Sequence, residues 1–136
     1  MFSECAQLST ITLSNSLTSI RDDAFGGSGL TSIVLPNSIT SLGEYVFRDC
    51  TQLSTITLSN SITSIAYKAF YACSRLSSIL IPDSAIVHND AFGKCDILEA
   101  KASRFKMSVK DYCVRVRVPI TKPNIILLWM PFIRII

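Results

Sequence analysis

One short phrase recurs along the chain at a fixed period, and that period limits the fold more than any other feature of the sequence. The stretch TITLSNSLTSI (10–20) returns almost unchanged as TITLSNSITSI (55–65), with a looser copy, SIVLPNSITSL (32–42), between them. A repeat of this regularity is typical of a solenoid, in which similar coils stack and each contacts only its neighbours. A leucine marks each unit every 22 or 23 residues, at Leu8, Leu30, Leu53, Leu76 and Leu98.

Each unit follows the pattern L-x-x-I-x-L-[PS]-x-S-I-T-S-I-x-x-x-A-F-x-x-C. The alternation of apolar and polar residues at 56–58 (ITL) predicts a short strand that is buried on one face. A turn is expected after this strand, where Pro36, Pro82 or a serine follows. A second short strand is expected at 61–65 (SITSI), and then a helical or 3₁₀ turn at 67–73 (YKAFYAC). Because one unit cannot bury its own apolar edge, the coils are expected to stack and pair their strands.

This pattern resembles the BspA-type, or treponemal-type, leucine-rich repeats, and the likeness covers about residues 2–95 with a degenerate continuation to about Ala102. The resemblance implies an α/β repeat fold, a right-handed β/α solenoid, here of about four coils. It also implies a secreted or surface-displayed protein that binds host or matrix proteins and mediates attachment or aggregation. It does not name a ligand, because a solenoid scaffold does not choose one.

The chain changes character near residue 103, which predicts a repeat solenoid at 1–103 and a non-repeat, basic and apolar tail at 104–136. The solenoid carries a net charge of −3 and the tail a net charge of +6. Three interpretations of the tail stay open: a cap on the last coil, a membrane-surface anchor, or unselected sequence beyond an altered reading frame. No apolar run has the length expected of a membrane span or a signal peptide.

Both ends of the repeat look incomplete, which predicts a fragment of a longer array. Phe2 and Cys5 fill the F-x-x-C slots of a first unit that lacks its strand. In the last unit, Lys101 falls where Ile79 and Ile56 stand in earlier units. Solenoids usually end in polar caps, and because the sequence shows none, end-to-end self-association is expected.

The outward residues of the first strand form the candidate binding surface. If the isoleucines and leucines point inward, the residues between them point outward and stack from coil to coil into a strip rich in hydroxyl groups. We interpret this strip as a protein-binding surface, with a merely solvated sheet face as the alternative. An ice-binding array is disfavoured, since only two coils keep the T-x-T motif. The strip consists of Thr10, Thr12, Ser32, Val34, Thr55, Thr57, Ser78 and Leu80.

A second set of residues recurs at the F-x-x-C slots and is expected to form an interior ladder. Buried cysteine commonly acts as a small apolar filler, so we interpret the cysteines as stacked thiols, with a disulfide between neighbouring coils as the alternative. The cysteine spacing does not match a zinc site. Cys113, in the tail, has no assignable partner. The ladder consists of Cys5, Cys50, Cys73, Cys95, Phe25, Phe47, Phe70 and Phe92.

Catalytic motifs are missing from the sequence. The serines recur at turn positions, as small hydroxyl residues do, and His88 has no matching acid and serine pattern. No phosphate-binding glycine loop or EF-hand spacing appears. Tyr45, Tyr67 and Tyr71 are either interface anchors or ordinary edge residues. The sequence therefore predicts no enzyme, no cofactor and no metal site.

Together these observations predict a non-enzymatic, protein-binding repeat module, part of a surface or secreted adhesion-type protein. The alternative is a truncated array with only a structural role or no autonomous function. The expected partner is another protein, such as a host or matrix protein, and not a nucleic acid. A location at the cell surface or outside the cell follows from the resemblance alone.

Overall fold

The computed structural model describes residues 2–115, in which the backbone forms six short strands and two helices. Strands of successive coils pair in parallel and build two separate three-stranded sheets, β1-β3-β5 and β2-β4-β6. This is the solenoid predicted from the period, with the strand pairing that the resemblance to leucine-rich repeats implies. The elements are β1 (Ser32–Val34), β2 (Ser41–Leu42), β3 (Thr55–Thr57), β4 (Ser64–Ile65), β5 (Ser78–Ile79), β6 (Ile86–Val87), α1 (Asp96–Arg104) and α2 (Val109–Arg115).

Equivalent residues of the repeat lie directly beside one another in both sheets. In the first sheet Ile33 pairs with Ile56, and Ile56 with Ile79. All three side chains are buried, whereas the strand residues on either side of them are exposed. Because the side-chain period of a strand is two, a shift by one residue would turn the isoleucines into solvent. The core therefore fixes the register, and with it the set of residues that faces outward.

The first copy of the phrase does not form the strand that its sequence predicts. Residues 10–12 pair with no strand, although Ser9 still accepts a hydrogen bond from the Thr31 amide at 3.1 Å. Ile20 makes only an isolated bridge to Leu42. The near-identical copy at 55–65 has a coil on each side, whereas no described element covers the outer side of the first copy, so its strand lacks half of the stabilising contacts.

The prediction of a helical or 3₁₀ turn at 67–73 is wrong, because this segment consists of tight turns. Lys68 and Ala72 have φ angles of 51° and 59°, in the left-handed region that a right-handed helix does not accept. The amide of Phe70 donates to the Ala91 carbonyl of the next coil at 2.8 Å. Backbone amides of the turn thus donate hydrogen bonds to the neighbouring coil. Positive φ angles recur at the equivalent residues of the other coils, Glu4, Asp23, Gly27, Tyr45, Asp49 and Lys94.

Two helices cover the last coil, where the sequence showed no cap. Leu98 and Ala102 of α1 are buried, and Cys113 of α2 lies in the common hydrophobic core. The division at residue 103 stays a prediction, but residues 104–115 pack on the solenoid. The rest of the tail, with its apolar run at 124–136, lies outside the described residues. No helix within 2–115 has the length and apolar character needed to cross a membrane.

Candidate protein-binding surface

The eight residues predicted to form the outward strip are all exposed, and they lie along one side of the solenoid. The pairing of β1, β3 and β5 sets Ser32 beside Thr55 and Thr55 beside Ser78. Val34 lies beside Thr57 in the next row. Leu80 follows β5 at the equivalent position, while Thr10 and Thr12 extend the strip beyond the first sheet without belonging to it. We refer to these eight residues as the outward strip.

Two shallow grooves run along the outward strip, and every member of the strip lines at least one of them. The larger has a volume of about 800 Å³ and is bounded by Pro36 and Pro82. The smaller, of about 340 Å³, lies beside the first coil and shares Val34 and Pro36 with the larger. No residue that lines either groove carries a formal charge. A ligand in these grooves would meet hydroxyl, amide and aliphatic groups only.

A row of asparagines borders the grooves and was missed by the sequence analysis. Asn15, Asn37 and Asn60 occupy one repeat position, and all three are exposed. Asn15 lines both grooves, and Asn37 and Asn60 line the larger. Their amides offer donors and acceptors beside the hydroxyl groups. The signal was present in the sequence, because SNS, PNS and SNS recur directly after the first strand.

The hydroxyl groups of the outward strip differ from those one residue before each strand. Thr31, Ser54 and Ser77 each donate a side-chain hydrogen bond to the backbone of the preceding coil. Those hydroxyls join one coil to the next. In contrast, the threonine and serine hydroxyls of the strip make no hydrogen bond within residues 2–115. Their hydrogen-bonding capacity is therefore available to a partner.

The predicted interior ladder contains a continuous stack of phenyl rings. The rings of Phe25, Phe47, Phe70 and Phe92 lie nearly parallel, with centroid distances of 5.4, 5.4 and 5.2 Å. Phe2 continues the stack at 5.7 Å, but its side chain is 44% exposed. Offset stacking at these distances adds to the stabilisation from burial. The stack runs through the buried interior of the described coils from Phe25 to Phe92.

Three of the four buried cysteines donate hydrogen bonds, and none of the four forms a disulfide. The thiols of Cys50, Cys73 and Cys95 each lie 3.0 Å from a phenylalanine carbonyl of the preceding coil. All five cysteines of the chain are free. Cys5 departs from the predicted ladder, because it is exposed. The repeated slot is therefore a donor position toward the preceding coil for these three cysteines, whereas the hydroxyl of Ser28, which fills the same slot one coil earlier, lies 3.4 Å from the Cys50 thiol.

Burial also disfavours the ionisation of these thiols. It raises the pKa of Cys95 and of Cys113 to about 12, and raises the pKa of Cys73 well above its ordinary value. The thiolate is the form that attacks electrophiles and binds metals, so the buried thiols are not suited to either. Within residues 2–115, no three side chains of the metal-binding types come together.

The tyrosines considered as interface anchors line neither groove, and each contacts another ring or a lysine ammonium. Tyr67 contacts Tyr45 edge-on at 5.5 Å and His88 at 5.1 Å. The Lys68 ammonium lies 4.8 Å from the centre of the Tyr71 ring. All three tyrosines are half-buried. Cation–π and edge contacts of this kind stabilise the turn region, and His88 takes part in them.

Comparison with known proteins agrees with this architecture. Residues 1–113 match the model of the BspA type Leucine rich repeat region, in six copies. A leucine-rich repeat protein from Bacteroides capillosus is 31% identical, with a TM-score of 0.54 over 59% of this chain and 60% of that one. One from Bacteroides ovatus is 29% identical, with a TM-score of 0.65 over 71% of this chain and 25% of that one.

A third solved structure, a leucine rich cell surface protein from Faecalibacterium prausnitzii, is 32% identical over 50% of this chain and 18% of that one, with a TM-score of 0.46. No protein with a curated description matches the chain significantly. The chain thus spans about 60% of the Bacteroides capillosus protein and smaller shares of the others. The family match covers most of the chain and agrees with its coil geometry: the chain belongs to the BspA type leucine-rich repeat family.

Proposed function

We propose that the chain is a non-enzymatic module that binds another protein through the outward strip. The observation that carries this proposal is the set of exposed hydroxyl groups, none of them bonded within residues 2–115, on a face that the core holds in fixed register. A sheet face of this kind is rigid before binding, so little conformational entropy is lost when a partner docks.

The chemistry of the grooves suits a protein partner. The central part of a protein interface is typically poor in charged residues. Binding there therefore avoids the free-energy cost of removing ions from water. The grooves carry no charge, and Val34 and Leu80, which are 65% and 50% exposed, supply apolar area. Hydroxyl and amide groups around these two side chains can bond a partner's backbone. The strip is therefore suited to an uncharged protein surface.

The location and the partner class follow from family membership. Members of the family resemble one another as surface or secreted proteins that attach to host or matrix proteins, and we propose the same role for the protein to which this chain belongs. Because the chain covers only part of its solved relatives, other segments of those proteins have no counterpart here. The proposal therefore concerns the coils alone.

Binding to a panel of purified extracellular-matrix proteins, measured by biolayer interferometry, tests this function. Thr57→Lys places a charge in the lining of the larger groove and is expected to weaken binding by at least about tenfold. Thr40→Lys is the matched control, since Thr40 is also exposed but lies outside both grooves.

Equal loss in both variants, or unchanged binding of Thr57→Lys, would place the contact elsewhere. If the folded chain binds no member of the panel, the alternative of an array segment with only a structural role is favoured. The same panel is therefore informative in either case.

A further inference from the structure

The outward strip alternates in character from one coil to the next. The coil of β1 carries Val34 and Pro36, and the coil of β5 carries Leu80 and Pro82 at the same positions. The coil of β3, which lies between them, carries Thr57 beside Val34. Val34 and Leu80 are exposed, and all five residues line the larger groove. The groove therefore presents two apolar spots, Val34 with Pro36 and Leu80 with Pro82, separated by one polar coil.

The distance between the two apolar spots favours one conformation of a bound chain. Neighbouring strands of a sheet lie about 4.8 Å apart, so the spots are separated by about 9.6 Å. A β-strand presents one face every second residue, which is about 6.7 Å, and an α-helix presents one face about every 5.4 Å, which would set an apolar side chain against Thr57. A polyproline II segment has three residues per turn, so every third side chain recurs on one face after about 9.3 Å. Of these three regular conformations, polyproline II matches the spacing.

The amide groups in the groove suit the backbone of such a segment. Polyproline II has no internal hydrogen bonds, so its backbone donors and acceptors are free to bond a partner. Asn37 and Asn60 line the larger groove in neighbouring coils, and neither side-chain amide makes a hydrogen bond within residues 2–115. Each of them offers donors and an acceptor. In the coil of β5, Asp83 takes this repeat position, but it does not line the groove.

We propose that the larger groove binds an uncharged protein segment in the polyproline II conformation, with an apolar residue at every third position. This inference rests on the proposed function and names the kind of partner segment that the outward strip takes. The apolar side chains of the segment contact the two apolar spots, and Asn37 and Asn60 bond its backbone. A charged residue in the segment would lose hydration without gaining an ion pair, because no residue that lines the groove carries a formal charge.

Two uncharged synthetic peptides of identical composition test this inference, by isothermal titration calorimetry against the full 136-residue chain. The first is built from Pro-Gln-Leu repeats, which place leucine at every third position, and its prolines favour polyproline II. The second contains the same residues with leucine at every second position over part of its length. Wild type is expected to bind the first peptide at least about tenfold more tightly, because only that peptide can set a leucine on each apolar spot.

An exchange of two residues on the chain separates the effect of spacing from that of apolar area. Thr57→Leu combined with Leu80→Thr keeps the composition of the strip, but sets its two aliphatic side chains in neighbouring coils, about 4.8 Å apart. This variant is expected to bind the Pro-Gln-Leu peptide at least about tenfold more weakly than wild type. Thr40→Leu, at an exposed site outside both grooves, is the control and is expected to bind it like wild type. Circular dichroism of each variant checks that the fold is kept.

Equal affinity of wild type for the two peptides would overturn the inference, and this comparison needs no variant to fold. Unchanged binding by the exchanged variant, or no binding of the Pro-Gln-Leu peptide, would overturn it as well. The proposed function can survive these results: if a matrix protein still binds wild type and Thr57→Lys weakens that binding, the outward strip is a binding surface and only the polyproline II segment is wrong.

Discussion

The phenyl stack gives a prediction whose size can be worked out position by position. Phe70 is fully buried and stacks on two rings, at 5.4 and 5.2 Å. Phe92 is 4% exposed and stacks on one ring of the stack. Phe2 also stacks on one ring, but is 44% exposed. Replacement by leucine keeps an apolar side chain at each site and removes the ring contacts.

Each stacked pair contributes about 0.5–1.5 kcal/mol beyond the burial of its area. Phe70→Leu loses two such pairs, so the free energy of unfolding is expected to fall by about 1–3 kcal/mol from stacking, with a further loss from the smaller volume. Phe92→Leu loses one pair, and its total effect is expected to be smaller by about 0.5–1.5 kcal/mol. Phe2→Leu is expected to have the smallest effect, since much of its ring is already in water.

Urea denaturation followed by circular dichroism measures these differences, provided that the slope m is the same for all three variants. The reasoning predicts the order Phe70, Phe92, Phe2. Equal losses at the three positions, or the largest loss at Phe2, would show that the rings are independent fillers and not a connected stack.

Three further predictions follow from single features of the coil. Ala72→Gly is expected to stabilise the fold by about 0.5–1 kcal/mol in urea denaturation, because a positive φ strains alanine and not glycine. In the native protein at pH 8, a thiol reagent should label Cys5 and spare the buried cysteines; at a pKa of about 12 only about 10⁻⁴ of the Cys95 thiol is ionised. The Arg48 guanidinium lowers the pKa of Asp23 through a hydrogen bond of 2.8 Å. The ionised carboxylate therefore stabilises the fold above its ordinary pKa of 3.8, and this contribution is lost as the pH falls through the lowered value.

Each of these predictions has a matched control. Ala69→Gly changes a buried alanine whose φ is not positive, and it should destabilise the fold. If Ala69→Gly also stabilised the fold, the positive φ would not explain the effect of Ala72→Gly. Rapid native labelling at four or five cysteines, counted by mass spectrometry, would contradict the closed interior. For the ion pair, the stability gap between wild type and Asp23→Asn should narrow as the pH falls below 3.8, and a gap that is constant from pH 7 to pH 2 would refute the linkage.

The coil stack and the direction of its strand residues could be predicted because both depend on periodicity. A buried isoleucine in one unit requires a buried isoleucine at the same slot of the next, so Ile33, Ile56 and Ile79 fix one another's register. The cysteine slot was predicted to be interior for the same reason, and Cys50, Cys73 and Cys95 are buried whereas Cys5 is exposed. Its role as a hydrogen-bond donor to the preceding coil was not, since that depends on where a backbone carbonyl lies in space.

The features that could not be predicted depend on the sign of the backbone φ angle or on contacts between residues that are far apart in the sequence. Only Gly27 signals a left-handed position, while Asp49 and Lys94 adopt the same φ sign without any mark in the sequence. Lys101 looked like a failure of the repeat, because the sequence does not show that its ammonium donates a hydrogen bond to the Ser77 carbonyl, 24 residues earlier. The first copy of the phrase shows the converse: nearly the same residues do not make a strand where no described strand lies on one side of them.

Site-specific photo-crosslinking tests the proposed binding surface most directly. A photo-reactive amino acid would replace Thr57 in one preparation and Thr40 in another, and each would be irradiated with the matrix protein that binds most tightly. Binding through the outward strip predicts a covalent adduct from position 57 and none from position 40. An adduct from position 40 alone, or equal adducts from both, would contradict the strip as the site of recognition.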